Sequence, residues 1–189
     1  MIPLLLSLLA CDEVGRDMAK AFPIMEKLDE DFAEPAYPCD PPFQSPSARN
    51  GIVGELVCGS EVQGNNAGGT TLWGDTFYQK AMCTPAREQY DSSPEDIWRL
   101  NIPADLEAEV TLISDCADLD LVGVSWQDDS IPKTEHHIRI NQCDMDVGRR
   151  GGKLRLNAVG KDWTYLVGVD GKGGQTGNYK LRVRCYTFR

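Results

Sequence analysis

Asp118 and Asp120 stand two residues apart in a stretch, Asp118–Trp126, that reads as a β-strand. Side chains alternate along a strand, so both carboxylates project to one face. A third, Asp170, ends the run Val167–Gly168–Val169–Asp170, which reads as a strand able to neighbour theirs. Hard carboxylate oxygens that converge in this way suit calcium, which takes about six to eight oxygen ligands. Asp118, Asp120 and Asp170 are therefore the expected metal set. No cofactor is required, and calcium is the single candidate. The competing expectation is structural: one aspartate accepts hydrogen bonds from backbone, threonine or tyrosine at a sheet corner while another is solvated. Cys143–Asp144–Met145–Asp146 repeats the acidic spacing and reads as a polar loop.

Catalytic chemistry finds little support. The two histidines, His136 and His137, are adjacent, and on a strand they point to opposite faces, so they cannot serve one metal ion or one active site. There is no Gly-x-Ser-x-Gly elbow, His-Glu-x-x-His helix or papain-like cysteine motif. Gly64–Gly69 is glycine-rich, yet no Gly-Lys-Ser/Thr follows it, so it reads as a turn and not as a phosphate cradle. A hydrolase needs a nucleophile, an oriented base and a site that stabilises charge. The sequence presents no such set, and a non-enzyme is expected.

The seven cysteines are Cys11, Cys39, Cys58, Cys83, Cys116, Cys143 and Cys185. No pair has the Cys-x-x-Cys spacing of zinc ribbons or redox motifs. Widely spaced cysteines in a β-rich chain predict disulfides and an oxidising compartment. Residues 1–10 form an apolar run too short to cross a bilayer as a helix. Leu8–Leu9–Ala10–Cys11 resembles a bacterial lipobox, with a small residue before the cleavage point and a thiol after it to carry lipid. That resemblance implies lipidation at Cys11 and anchorage to a membrane. Six cysteines then remain, an even number that allows three disulfides. The expected pairs are Cys58 with Cys185, joining the first strand to the last, Cys116 with Cys143 around the central strand, and Cys39 with Cys83 by elimination.

The elements that must position these residues are strands. At 189 residues the chain suits one domain and a tail. Its net charge of −10 disfavours a nucleic-acid backbone as partner and gives no basic stripe for anionic lipid. Residues 11–50 are rich in Pro, Ala, Asp, Glu and Ser, and proline interrupts them repeatedly, so they read as a disordered tether whose end Cys39 pins. The domain is expected over 51–189. Strands are predicted over Ile52–Gly59, Glu95–Ile102, Glu109–Ile113, Asp118–Trp126, His136–Ile140 and Lys153–Val159. Two more complete the set: Trp163, Tyr165, Val167 and Val169, then Tyr179, Leu181, Val183 and Cys185, alternate about a glycine-rich turn and predict a hairpin with one face buried. The expected fold class is all-β: an antiparallel, jelly-roll-like or Greek-key β-sandwich of about eight strands.

From about Cys58 to Cys185 the order of landmarks resembles the bacterial pre-peptidase C-terminal domain, a small β-sandwich of secreted peptidases and envelope proteins. The matching pieces are Val57–Cys58–Gly59–Ser60, Pro94–Glu95–Asp96–Ile97–Trp98–Arg99–Leu100, Val110–Thr111–Leu112, Asp118–Leu119–Asp120–Leu121, Val167–Gly168–Val169–Asp170–Gly171 and Gly177–Asn178–Tyr179–Lys180–Leu181–Arg182–Val183. The family usually adjoins a peptidase domain, for which this length leaves no room. The resemblance implies a stand-alone, non-catalytic, lipid-anchored envelope module, monomeric, on the periplasmic or cell-surface side. An extracellular glycan, a peptide or an envelope protein is its expected partner, with a calcium-dependent adhesion or matrix-binding module as the alternative.

Overall fold

The computed structural model describes residues 37–83, 89–148 and 150–187. The apolar leader, Cys11 and the tether up to residue 36 lie outside the described residues. One compact unit runs from Pro38 to Arg189. Its elements are β1 (Ile52–Leu56), β2 (Glu61–Asn65), helix α1 (Asp75–Lys80), β3 (Glu95–Ile102), β4 (Leu106–Ile113), β5 (Leu119–Ser125), β6 (Cys143–Asp146), β7 (Gly151–Ala158), β8 (Trp163–Gly171) and β9 (Asn178–Thr187). A five-stranded sheet has the order β1-β3-β8-β5-β6 and a four-stranded sheet the order β2-β9-β4-β7. All neighbours are antiparallel except β1 and β3, which run parallel. The fold is thus the all-β sandwich expected.

Alternation builds the core between the sheets. Trp98, Leu100 and Ile102 of β3 and Tyr165, Val167 and Val169 of β8 meet Val110 and Leu112 of β4, Leu154 and Leu156 of β7, and Tyr179, Leu181 and Val183 of β9. Each such aliphatic side chain withdrawn from water contributes about 1.5–3 kcal/mol, the main driving force for stacking the sheets. A second apolar cluster lies on the other face of the five-stranded sheet. There Ile97, Val122, Val124 and Leu166 are covered by Trp73, Phe77 and Tyr78 around α1 and by Trp126 and Ile131 after β5. Trp73 stacks on Phe77 at 5.1 Å. Every residue of β5 is buried, because that sheet is covered on both sides.

That double cover corrects the hairpin expected at Trp163–Cys185. β8 bonds to β3 and β5, while β9 bonds to β2 and β4, so the two strands lie in opposite sheets. Tyr165, Val167 and Val169 fill the core as predicted, but Leu166 belongs to the outer cluster, so β8 is an interior strand that needs a neighbour on each side. Two further strand assignments change. Thr134–Arg139, expected as a strand around His136–Ile140, is a 3-10 helix. Lys133 N–H donates to His136 Nδ1 and His136 N–H to the Lys133 carbonyl, local bonds that favour a turn over a ladder. Cys143–Asp146, expected as a loop, is the edge strand β6.

The folded unit also reaches further back than Gly51. Asn178 Nδ2 donates to the carbonyls of Pro38, Cys39 and Pro41 at 3.1 Å each, and Asn178 Oδ1 accepts from Phe43 N–H at 2.7 Å. Residues 38–48 are therefore a strap on the sandwich and not the end of a tether. The disulfides follow from this placement. Cys58–Cys185 joins the strands as expected, with Cα atoms 5.4 Å apart. The other two expected pairs are exchanged: Cys39 bonds Cys116 and Cys83 bonds Cys143. The strap carries Cys39 to the corner before β5, and the segment after α1 brings Cys83 across the outer layer to β6.

Candidate functional site

The strands place Glu95 of β3, Asp170 of β8 and Asp120 of β5 directly opposite one another, in a row on the outer face of the five-stranded sheet. All three are buried under the α1 segment. Tyr78 OH donates to Asp170 Oδ2 and Tyr90 OH to Asp120 Oδ2, each at 2.6 Å. Glu95 Oε1 accepts from Thr70 Oγ1 at 2.8 Å and from the amides of Leu72 and Trp73. Glu95 Oε2 and Asp170 Oδ1 are enclosed without a hydrogen-bond partner among the described residues.

Burial governs the charge of this row. Desolvation lifts Asp170 to about 8, against the hydrogen bond from Tyr78, with Glu95 adding repulsion. It lifts Glu95 to about 7 and Asp120 to about 6. Removing a carboxylate from water disfavours its charged form, and neighbouring carboxylates compound the effect. The Tyr78 and Tyr90 hydroxyls are pushed up as well, first by burial, so they act as donors that keep their protons.

The structure thus brings Asp120 and Asp170 together, as expected, but the third member of the row is Glu95. Asp118 precedes β5, half-buried, and its amide donates to Gln175 Oε1 at 3.0 Å. No three His, Cys, Asp or Glu side chains converge as a metal-binding group among the described residues. The alternation of β3 gives it one buried face in the sequence, which leaves Glu95 out of the expected set. The adjacent acids Glu95–Asp96 at its start were the available signal, since one of them had to point to each side.

Asp96 points the other way, into the edge of the core. A groove of about 390 Å³ opens above it, between the strap and the free edges of β1 and β2. Asp96 Oδ2 accepts from Tyr179 OH at 2.6 Å and from Ser45 Oγ at 2.8 Å, and Tyr179 OH in turn accepts from Trp98 Nε1 at 2.9 Å. This chain of bonds ties strap, β3 and β9 together. Two glycines make room for it. A Cβ on Gly64 would lie 2.4 Å from the Tyr179 hydroxyl oxygen, and one on Gly69 would lie 2.3 Å from the Glu95 carbonyl oxygen.

The histidines fall elsewhere. His136 stacks on Trp126 with centroids 5.7 Å apart, and His137 Nδ1 lies 3.0 Å from the Thr134 carbonyl. The first contact holds the 3-10 helix against the outer layer, and the second lies within the helix.

No family model matches the chain, and no curated protein is similar to it. Among the solved structures that are similar, two illustrate the likeness. One is the pre-peptidase C-terminal domain of a collagenase from Bacillus anthracis, 12% identical over 69% of this chain and 93% of that one, with a TM-score of 0.40. The other is PliG of Aeromonas hydrophila, a periplasmic lysozyme inhibitor of g-type lysozyme, 10% identical over 70% and 99%, with a TM-score of 0.39. Likenesses of this size bear on neither ligand nor activity.

Proposed function

We propose that this chain is a non-catalytic module of the bacterial cell envelope, held to a membrane by lipid on Cys11, whose stitched sandwich binds or supports a partner outside the cytoplasm. The pairing of the cysteines carries this reading. Of the seven, six close three disulfides among themselves, which leaves Cys11 with no cysteine partner in its own chain. It stands directly after Leu8–Leu9–Ala10, where a lipid-accepting cysteine would stand. Three disulfides suit an oxidising compartment, the same side of the membrane that lipidation implies. Metabolic labelling with a palmitate analogue tests the anchor: label is expected on the wild type and lost in Cys11→Ala, and label that persists in the variant contradicts it.

A second reading, calcium-dependent adhesion, draws on the two enclosed carboxylate oxygens of Glu95 and Asp170. Calcium there would displace protons and satisfy both. A ligand of the native state raises its stability, so millimolar calcium would raise the melting temperature and a chelator would lower it. A melt that neither reagent moves removes this reading.

A further inference from the structure

Asp96 lines the edge groove and is 2% exposed; burial pushes its carboxyl above the usual range, and no described cation pairs with it. None of the groove's lining residues is basic, and no ion pair among the described residues involves Asp96. Its hydrogen bonds are unevenly shared. Both of them, from Tyr179 and Ser45, land on Oδ2, whose two lone pairs they occupy. Oδ1 receives none and is not among the enclosed unpartnered atoms, so it keeps a narrow exposure on a residue that lines the groove. The walls above it are largely apolar, with Phe43 and Pro46 on the strap and Val53 on β1, and Gly68 on the opposite rim.

We propose that this groove binds a primary ammonium on an alkyl stem, the side chain of a lysine presented by a partner protein. The stem lies along Phe43, Pro46 and Val53, and the ammonium reaches Asp96 Oδ1. Long cationic side chains bury their methylenes in this way while the charged head finds a polar partner. The same geometry selects against arginine. A guanidinium binds carboxylate best through two parallel bonds to both oxygens, and here Oδ2 is already saturated. An ammonium is a point charge that needs only one. The volume, about 390 Å³, is near the low end for ligand sites, about 300–1,000 Å³, and leaves room for a lysine side chain with water beside it. The chain's net charge of −10 favours approach of a cationic surface. None of this depends on the anchor at Cys11.

The Trp98 indole N–H reports on the site, being one Tyr179 hydroxyl away from Asp96. Titrating the full chain with the capped peptide Ac-Gly-Lys-Gly-NH2 and following that resonance should give a saturable shift. The norleucine and arginine counterparts should bind at least several-fold more weakly. Asp96→Asn, which removes a charged hydrogen bond, should weaken lysine-peptide binding by about ten- to a hundredfold. Because Asp96 also holds the strap, Gly68→Trp provides the second arm. A side chain on Gly68 meets no heavy atom within 4 Å, so bulk is added there without a backbone clash, and binding should be lost with the melting temperature kept. Norleucine or arginine binding as tightly as lysine, or undiminished binding in either folded variant, overturns the proposal. n-Butylamine, which carries the same stem and ammonium, should compete with the peptide for the site, and failure to compete overturns the proposal.

Discussion

At Asp170 two forces oppose each other. The Tyr78 hydroxyl at 2.6 Å favours the carboxylate, and full burial beside Glu95 disfavours it. Desolvation dominates, and the group is pushed up to about 8, with Glu95 at about 7 and Asp120 at about 6. An unfolded carboxyl titrates near ~4, so over the window from there to about 8 the folded state binds more protons than the unfolded one. Stability from this row is complete below that window and is lost as pH rises through it. The melting temperature should therefore be higher at pH 5 than at pH 8.5, each kcal/mol counting for about 2–4 °C in a protein of this size. Asp170→Asn should flatten that dependence, since an amide cannot ionise. Tyr78→Phe leaves the buried Asp170 without its donor and should cost about 1–3 kcal/mol or more in urea denaturation. Asp120 and Asp170 could be named from the sequence, because period two gives each a face of its strand, but that same period also brought in Asp118, which lies before β5. Glu95 is legible only in part: the adjacent acids Glu95–Asp96 put one carboxylate on each side of β3, but nothing in that strand announces that residues 70–83 will fold over the outer one.

Among the elements, the alternating strands were the legible part. Trp98–Leu100–Ile102 and Tyr179–Leu181–Val183 face the core as their spacing requires. Partnership was not legible. β8 and β9 are consecutive in the chain and read as a hairpin, yet each needs different neighbours, because β8 is buried on both faces and β9 has Lys180, Arg182 and Arg184 on its other face. The disulfides failed for a related reason: which cysteines meet depends on the routes of the strap and the α1 segment, and neither shows a strand period. Removing the Cys83–Cys143 bridge by a double serine substitution should cost about 2–4 kcal/mol, because it frees a long loop in the unfolded chain. Gly64→Ala should cost about 1–3 kcal/mol in chemical denaturation, since its Cβ would push Tyr179 off Asp96 and loosen the strap.

For the whole molecule, two sheets supply the stability, and three covalent links join parts of the chain that are distant in sequence. Cys39–Cys116 fixes the strap, Cys58–Cys185 joins the start of the sandwich to its last strand, and Cys83–Cys143 fixes the outer layer. The proposed module sits on the oxidising side of a membrane, held there by lipid on Cys11. Mass spectrometry of the protein isolated from membranes without reductant, digested and mapped, tests both halves at once. The account predicts an N-terminal Cys11 carrying diacylglyceryl and peptides crosslinked as 39–116, 58–185 and 83–143. Free thiols at those six positions, with Cys11 internal and unmodified, would contradict it.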